Sequence, residues 1–177
     1  RQTLSMVTSQ VLLGMQPVLQ DFNPDLVLVH GDTATTFAAT LAAFYEKIPV
    51  GHVEAGLRTG DMYSPWPEEA NRCLTGRLAR WHFAPTAQTR DNLLREGVAP
   101  DAITITGNTV IDALLMTERK LRDDASLRQA QEQRFDFLRP GARLVLITGH
   151  RRENFGGGFE RICEAIARLA RQHPEVD

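Results

Sequence analysis

The sequence predicts an α/β fold in which helices alternate with the strands of doubly wound parallel sheets. Short apolar runs recur along the 177 residues, and each is followed by a polar loop and then by an amphipathic stretch. This repeating order of strand, loop and helix is typical of parallel strands joined by crossover connections. The composition, with 42% hydrophobic and 24% charged residues, is that of an ordinary globular protein.

The first part of the chain is predicted to contain four strands and the helices that connect them. Residues 3–20 carry apolar side chains at helical spacing and precede a turn at 23–25. Residues 25–29 form an apolar strand that is expected to be buried on both faces. The elements predicted after it are a helix over 34–45, a strand over 49–53, a helix over 67–78, a strand over 81–84, a helix over 86–97 and a strand over 103–106.

Local signals mark the ends of several of these helices. Pro67 suits the first turn of a helix, where its missing amide hydrogen would have no partner. The two acidic residues after it are favoured there by the helix dipole. Thr86 is a suitable N-cap, and Gly97 is typical of a helix C-terminus.

The remaining residues are predicted to connect to a second sheet. A helix of about a dozen residues begins at Val110, which is a common helix length. Residues 122–139 are helical and rich in charge, and we interpret them as a crossover between two domains. Residues 143–148 are predicted to be a buried strand, and a glycine-rich stretch leads from its loop into an amphipathic helix over 159–171.

Charge, cysteine usage and the chain ends narrow the possible functions. The net charge of −2 and the lack of a long apolar run predict neither a nucleic-acid partner nor a membrane span. Cys73 and Cys163 lie in helical patterns without metal-type spacing, which predicts buried free thiols and a cytoplasmic location. The chain enters a helical pattern at Arg1 and stops before an expected strand, so we interpret it as part of a longer protein.

Side chains able to transfer protons or bind anions follow three of the predicted strands. They are His30 and Asp32, then His52 and Glu54, then His150 with Arg151 and Arg152, and Glu68 begins the helix after the second loop. Each of these residues, taken singly, has a simpler interpretation. Asp32 or Thr33 could be an N-cap, Glu68 could interact with the helix dipole, and the two arginines could be a solvated pair. Because strand ends of one sheet meet at one edge, the set predicts acid–base chemistry beside a phosphate or diphosphate.

Five short segments, in consistent order along nearly the whole chain, form a specific set of motifs. They are Val29-His30-Gly31-Asp32-Thr33, His52-Val53-Glu54-Ala55-Gly56-Leu57-Arg58-Thr59, Pro67-Glu68-Glu69-Ala70-Asn71-Arg72, Thr106-Gly107-Asn108-Thr109-Val110-Ile111-Asp112 and Thr148-Gly149-His150-Arg151-Arg152-Glu153-Asn154. Together they resemble the UDP-N-acetylglucosamine 2-epimerase family of the non-hydrolysing bacterial type. The resemblance implies two Rossmann-like domains that face a cleft, as in the glycosyltransferase B architecture, present here as a fragment. It implies a first domain over 1–106, hinge and crossover helices over 107–142 and the start of the second domain over 143–177.

The resemblance also implies an activity and roles for individual residues. The family interconverts UDP-N-acetylglucosamine and UDP-N-acetylmannosamine by eliminating UDP, passing through a glycal and adding UDP back. It implies catalytic roles for Asp32, Glu54, Glu68 and His150, and substrate binding by Arg72, Arg151, Arg152 and Asn154. Arg1, Gln2 and Arg151 match residues that bind a second UDP-N-acetylglucosamine as an activator, although Arg1 equally fits a solvated helix residue. A homodimer without metal or other cofactor is implied.

Other functions stay open on the sequence. One is a glycosyltransferase of the same fold, and another is a hydrolysing epimerase that releases UDP and free N-acetylmannosamine. A third is a metal-dependent hydrolase with a nitrogen and oxygen ligand set made of His30, Asp32, His52 and Glu54. The sequence contains no Gly-x-Gly-x-x-Gly dinucleotide fingerprint, so no redox cofactor is expected.

Overall fold

The computed structural model describes residues 2–148 and 157–177. The chain divides into two compact units, Arg1–Ala113 and Leu114–Asp177. The domain limits expected near residues 106 and 143 stay predictions. Among the described helices, none combines the length and the apolar character that crossing a bilayer requires.

The first unit is built on a four-stranded parallel sheet, which confirms the predicted α/β class. The strands, all paired in parallel in the order β1-β2-β3-β4, are β1 Val27–His30, β2 Val50–Val53, β3 Trp81–Ala84 and β4 Ile103–Ile105. The register places His30 beside Val53, and Val53 beside Phe83. The carboxyl ends of the first three strands therefore share one edge of the sheet.

One helix precedes the first strand and three connect the strands, and the positions of all four agree with the predicted ones to within a few residues. They are α1 Leu4–Phe22, α2 Ala34–Tyr45, α3 Glu68–Leu78 and α4 Ala87–Arg95, and a short 3₁₀ helix, Pro100–Ala102, precedes β4. Thr3, Thr33 and Thr86 are the N-caps of α1, α2 and α4, and each hydroxyl accepts a hydrogen bond from the amide three residues later. Such caps satisfy amide groups that have no partner inside the helix.

The main core lies between the first two strands and the first two helices. It contains Leu19 of α1, Val29 of β1, Ala42 and Ala43 of α2, Ile48 and Val50. The alanines of α2 let its backbone approach the sheet closely. A smaller cluster of Ala55, Ala84 and Leu93 lies beneath α4. The helices thus fix the sheet edge at which the strand-end residues emerge.

β1 is buried on one face only, so the prediction of burial on both faces is wrong. Val29 is 7% exposed, whereas Leu28, on the opposite face, is 61% exposed. The helix residues that contact β1 cluster with Val29 on one side of the sheet. β2 fits the buried prediction better, since Val50 and His52 are both buried.

The second unit is mainly helical in its described part. α5 Thr109–Asp123 spans the boundary between the units, and α6 Ala125–Arg134 and α7 Gly157–Gln172 follow. The strand predicted over 143–148 is not formed: Arg143 makes a single parallel bridge with Val176, and Leu146 is 83% exposed. A strand requires a neighbour along its length, and within the described residues only 176–177 pairs with this segment.

The two cysteines are free, as predicted, but their burial differs from the prediction. Cys73 is half-buried on α3, and burial raises the pKa of its thiol. Cys163 is exposed, because α7 has no buried residue among those described. The prediction of a buried thiol is therefore wrong for Cys163.

Candidate active site

The candidate site lies at the carboxyl edge of β1 and β2, where the chain leaves the sheet. The amide of Gly31 donates to the carbonyl of Val53 at 3.0 Å, which joins the loops that follow the two strands. Glu54 has a φ of +65°, a left-handed conformation that side chains other than glycine adopt infrequently. Residues held in such conformations cluster at functional sites, which fits the predicted role of Glu54.

Glu54 and His30 form the first pair of the site. Oε2 of Glu54 lies 3.3 Å from Nε2 of His30, and the side chains are 26% and 53% exposed, respectively. A carboxylate in contact with an imidazole can exchange a proton with it. The exposure of both groups leaves them accessible to a substrate at this edge.

Asp32 and Arg72 form the second pair and bring α3 to the same edge. Nη2 of Arg72 lies 3.2 Å from Oδ2 of Asp32. On the preceding residue, the Asn71 side-chain amide donates to the backbone carbonyl of Asp32 at 2.9 Å. The carboxylate of Asp32 is 31% exposed, whereas the Arg72 side chain is only 10% exposed. The acid is thus open to solvent and its cationic partner is largely buried behind it.

The capping alternative for Asp32 is wrong, because Thr33 caps α2. The Thr33 hydroxyl accepts a hydrogen bond from the amide of Thr36 at 3.2 Å. The Asp32 carboxylate contacts Arg72 and does not serve as the cap. Its side chain is therefore not required to start the helix.

Glu68 lies in the first turn of α3, where it is half-buried. Its carbonyl accepts a hydrogen bond from Nε of Arg72 at 3.3 Å, but its carboxylate makes no hydrogen bond or ion pair with the residues that the structure describes. The helix starts at a proline without a side-chain cap, so an acid in this turn also suits the helix dipole. The predicted catalytic role of Glu68 stays a prediction.

Glu69, for which the sequence predicts a place in the first helical turn but no catalytic or binding role, is the most buried acid of this region, at 1% exposure. Its Oε1 accepts hydrogen bonds from the amides of Thr59 and Gly60 at 3.0 and 3.1 Å. Its Oε2 lies 3.3 Å from Nε of Arg72. The spacing of three residues between Glu69 and Arg72 on a predicted helix was the available signal for this pair.

The loop between Glu54 and α3 is held against α4 by polar contacts. Arg58 forms a two-point ion pair with Glu96, with N–O distances of 2.6 and 3.0 Å. Hydrogen bonding to this guanidinium lowers the pKa of the Glu96 carboxyl. The side-chain amide of Asn92 donates to the carbonyl of Gly56 at 2.9 Å. These contacts fix the course of the chain immediately after Glu54.

His52 is fully buried in β2 and serves the structure of the edge. Its Nε2–H donates to the carbonyl of Gly31 at 2.8 Å. Burial lowers the pKa of His52 to about 4, so the ring is neutral at neutral pH. The metal-site alternative would use this same ring, and among the described residues no three histidine, cysteine, aspartate or glutamate side chains are grouped to hold a metal ion.

Acid should destabilise the protein through His52. Its pKa is about 4 when folded and about 6.5 when unfolded, so the unfolded state binds more protons between these values. The contribution of neutral His52 to the free energy of unfolding is fully present above pH 6.5, and up to about 3 kcal/mol of it is lost as the pH drops to 4. Urea unfolding at several pH values should show that the free energy of unfolding falls more steeply with decreasing pH for the wild type than for His52→Gln. Glutamine keeps a hydrogen-bond donor for the Gly31 carbonyl but does not titrate. Equal slopes would contradict this assignment.

Several predicted site residues cannot be placed. His150, Arg151, Arg152 and Asn154 lie outside the described residues, as does Arg1. Gln2 is described as exposed, just before α1. The roles predicted for all six stay predictions.

Comparison with known proteins gives consistent matches. The sequence model of a family described as UDP-N-acetylglucosamine 2-epimerase matches residues 1–177. The chain is 60% identical to the UDP-N-acetylglucosamine 2-epimerase of Yersinia pestis over 175 residues, 99% of this chain and 46% of the relative. It is 57% identical to the enzyme of that name from Escherichia coli K12, with the same coverage. The chain thus spans about half the length of the curated relatives it matches.

Solved structures give the same result for the fold. The UDP-GlcNAc 2-epimerase of Neisseria meningitidis bound to UDP-GlcNAc superimposes with a TM-score of 0.95 at 52% identity, over 99% of this chain and 47% of that one. The Methanocaldococcus jannaschii UDP-GlcNAc 2-epimerase in complex with UDP-GlcNAc and UDP gives 0.84 at 34% identity, over 98% and 46%. The fold class is that of these proteins, glycosyltransferase B-like, as predicted.

Proposed function

The chain belongs to the UDP-N-acetylglucosamine 2-epimerase family, and from this premise we propose that it supplies acid–base residues for epimerisation at C2 of UDP-N-acetylglucosamine. The observation that carries the proposal is the arrangement at the sheet edge, where Asp32 meets Arg72 and Glu54 meets His30. The product proposed is UDP-N-acetylmannosamine, and the reaction is reversible. Relatives of this chain have been solved with UDP-GlcNAc bound.

The chemistry explains why several acids are needed. No carbonyl is attached to C2 of the sugar, so direct removal of its proton is unfavourable. When the anomeric C–O bond breaks and UDP leaves, C1 becomes electron-poor and the C2 proton becomes acidic. Loss of that proton gives a glycal. Reprotonation from the opposite face and re-addition of UDP give the epimer, so both faces of the sugar need a group that handles protons.

Three carboxylates are proposed for these steps: Asp32, Glu54 and Glu68. The first two are accessible at the sheet edge and each contacts a group that stabilises its charge or exchanges a proton with it. Glu68 is one helical turn before Arg72 on α3. The departing diphosphate needs preorganised positive charge, for which we propose His150, Arg151, Arg152 and Asn154 together with Arg72.

The proposed reaction predicts exchange of the C2 hydrogen with solvent. The full-length protein incubated with UDP-N-acetylglucosamine in deuterium oxide should produce both nucleotide sugars with deuterium at C2, observed by proton NMR. A chelator should leave the rate unchanged, because only side chains of the protein are invoked. Free N-acetylmannosamine as the main product would identify the hydrolysing reaction. Turnover without deuterium at C2 would contradict the elimination mechanism.

The resemblance supports further proposals about the whole protein. We propose that it works as a cytoplasmic homodimer and keeps UDP bound between elimination and re-addition, as the non-hydrolysing enzymes do. We also propose that Arg1, Gln2 and Arg151 bind a second UDP-N-acetylglucosamine as an activator. The support for these proposals is the match of motifs along the sequence.

A further inference from the structure

Glu69 has no role in the proposed chemistry, although it is the acid most tightly held at the site. With 1% of its surface exposed, it cannot reach a sugar. An isolated carboxylate is costly to bury, and it is found inside proteins when charge and hydrogen bonds compensate for the lost hydration. Glu69 has both, because two loop amides donate to Oε1 and a guanidinium lies beside Oε2.

The guanidinium that compensates Glu69 is also the one that contacts Asp32. Arg72 places Nε 3.3 Å from Oε2 of Glu69 and Nη2 3.2 Å from Oδ2 of Asp32. Oε2 of Glu69 receives no hydrogen bond from the described residues, so this ion pair is its one compensating contact there. Nε donates its hydrogen to the Glu68 carbonyl at 3.3 Å, and the Glu69 carboxylate lies beside Nε as its charge partner. Because the guanidinium is planar and rigid, holding Nε between these two groups fixes the direction in which Nη2 points.

We propose that Glu69 is a positioning residue: it holds Arg72 in the orientation that places the Asp32 carboxylate for proton transfer at the substrate. The inference rests on the proposed epimerase function. It adds a chain of three groups, Glu69 to Arg72 to Asp32, that runs from the interior to the solvent-exposed edge of the sheet. The two amides of the loop serve as the fixed end of this chain, since they keep the Glu69 carboxylate from turning with Arg72.

Glu69 could instead act only as a tie between α3 and the loop at residues 59–60. The two roles differ in the atom they need. The tie uses Oε1, which accepts from the Thr59 and Gly60 amides, whereas positioning uses Oε2, which faces Arg72. Glu69→Gln separates them, because glutamine keeps one oxygen for the amides and presents to Arg72 an NH₂ group that carries no negative charge.

The test is the kinetics of Glu69→Gln in the full-length protein. We expect kcat to fall roughly 10–100-fold, as displacement of a reacting group by about 1 Å does, with KM changed less than about threefold. Glu96→Gln is the matched comparison, since Glu96 is also an acid paired with an arginine, Arg58 of the loop, but contacts neither Arg72 nor Asp32. It should lower the melting temperature, and any loss of kcat that follows from loosening the loop after Glu54 should be equal in the wild-type and Asp32→Asn backgrounds.

A double-mutant cycle distinguishes positioning of Asp32 from a purely structural role of Glu69. It compares the loss of kcat that Glu69→Gln causes in the presence and in the absence of the Asp32 carboxylate. In an Asp32→Asn background, Glu69→Gln should lower kcat by less than about twofold, because the group it positions is already gone. Equal losses in both backgrounds would overturn the inference. Glu69→Asp keeps the negative charge but shortens the side chain by one methylene, so it also displaces Arg72. It should show the same non-additivity with Asp32→Asn and serves if Glu69→Gln fails to fold.

The outcomes separate this inference from the function on which it rests. A wild-type protein that exchanges no C2 hydrogen overturns both. A wild type that epimerises, with kcat of Glu69→Gln within about twofold of the wild-type value, overturns the inference alone. Glu69→Gln and Glu96→Gln could instead lower both the melting temperature and kcat to a similar extent. If the loss of kcat is then additive with that of Asp32→Asn, Glu69 acts only as the loop tie and the positioning role is rejected.

Discussion

Asp32→Asn in the full-length protein is expected to lower turnover by about 10²–10⁴-fold, the range over which acid–base groups contribute. The amide keeps the size of the side chain but cannot take up the proton. The fold should survive, because Thr33 caps α2 and Asn71 bonds the backbone of Asp32. Loss of the partly exposed ion pair with Arg72 should cost only about 1 kcal/mol. Steady-state kinetics and thermal unfolding of the same preparation give the two quantities.

Asp91→Asn is the control for this prediction. Asp91 is an exposed acid that pairs with Arg90 on α4, and the loss of its charge should leave both turnover and melting temperature close to wild type. Near-normal turnover of Asp32→Asn would remove Asp32 from the catalytic set. A large drop in melting temperature with normal specific activity would assign it a structural role instead.

Gly56→Ala should destabilise the protein by roughly 2–5 kcal/mol, the sum of a left-handed backbone and an overpacked contact. The φ of Gly56 is +88°, and an added Cβ would clash with the Thr89 carbonyl oxygen. That oxygen belongs to the backbone of α4, so a side-chain rotation cannot relieve the contact. Urea unfolding measures the loss, and activity should fall as well because Glu54 lies two residues earlier in the same loop.

Gly60→Ala separates the two contributions. Gly60 also has a positive φ, +83°, but an added Cβ there would meet nothing within 4 Å. This variant should lose only about 1–2 kcal/mol, the cost of the left-handed backbone. Equal losses in the two variants would show that the approach of Gly56 to Thr89 does not matter for stability.

Secondary structure was predictable where local signals agree with the tertiary contacts. α2 and β3 have the predicted bounds, because a threonine cap begins the helix and an apolar run with flanking turns defines the strand. Burial was less predictable, since it depends on neighbours that the local pattern does not specify. Leu28 and Leu146 both belong to apolar runs of the kind found in buried strands, yet both are exposed.

The site was predictable to the extent that topology dictates it. Asp32 and Glu54 follow neighbouring parallel strands, so their proximity to one edge follows from the order of elements. Glu69 was not predictable, because it adjoins Glu68 in sequence and successive helical side chains point about 100° apart. The sequence does not indicate which of the two adjacent acids is buried, because this depends on which face of α3 packs against the rest of the protein.

The N-cap at Thr33 bears on how position 32 can change in evolution or in the laboratory. Because the hydroxyl one residue later starts α2, the identity of residue 32 is decoupled from helix initiation. A library of all amino acids at position 32 should therefore yield mostly soluble, folded variants. Selection on such a library would act on chemistry nearly alone, which makes this position a starting point for altering the substrate range of the proposed activity.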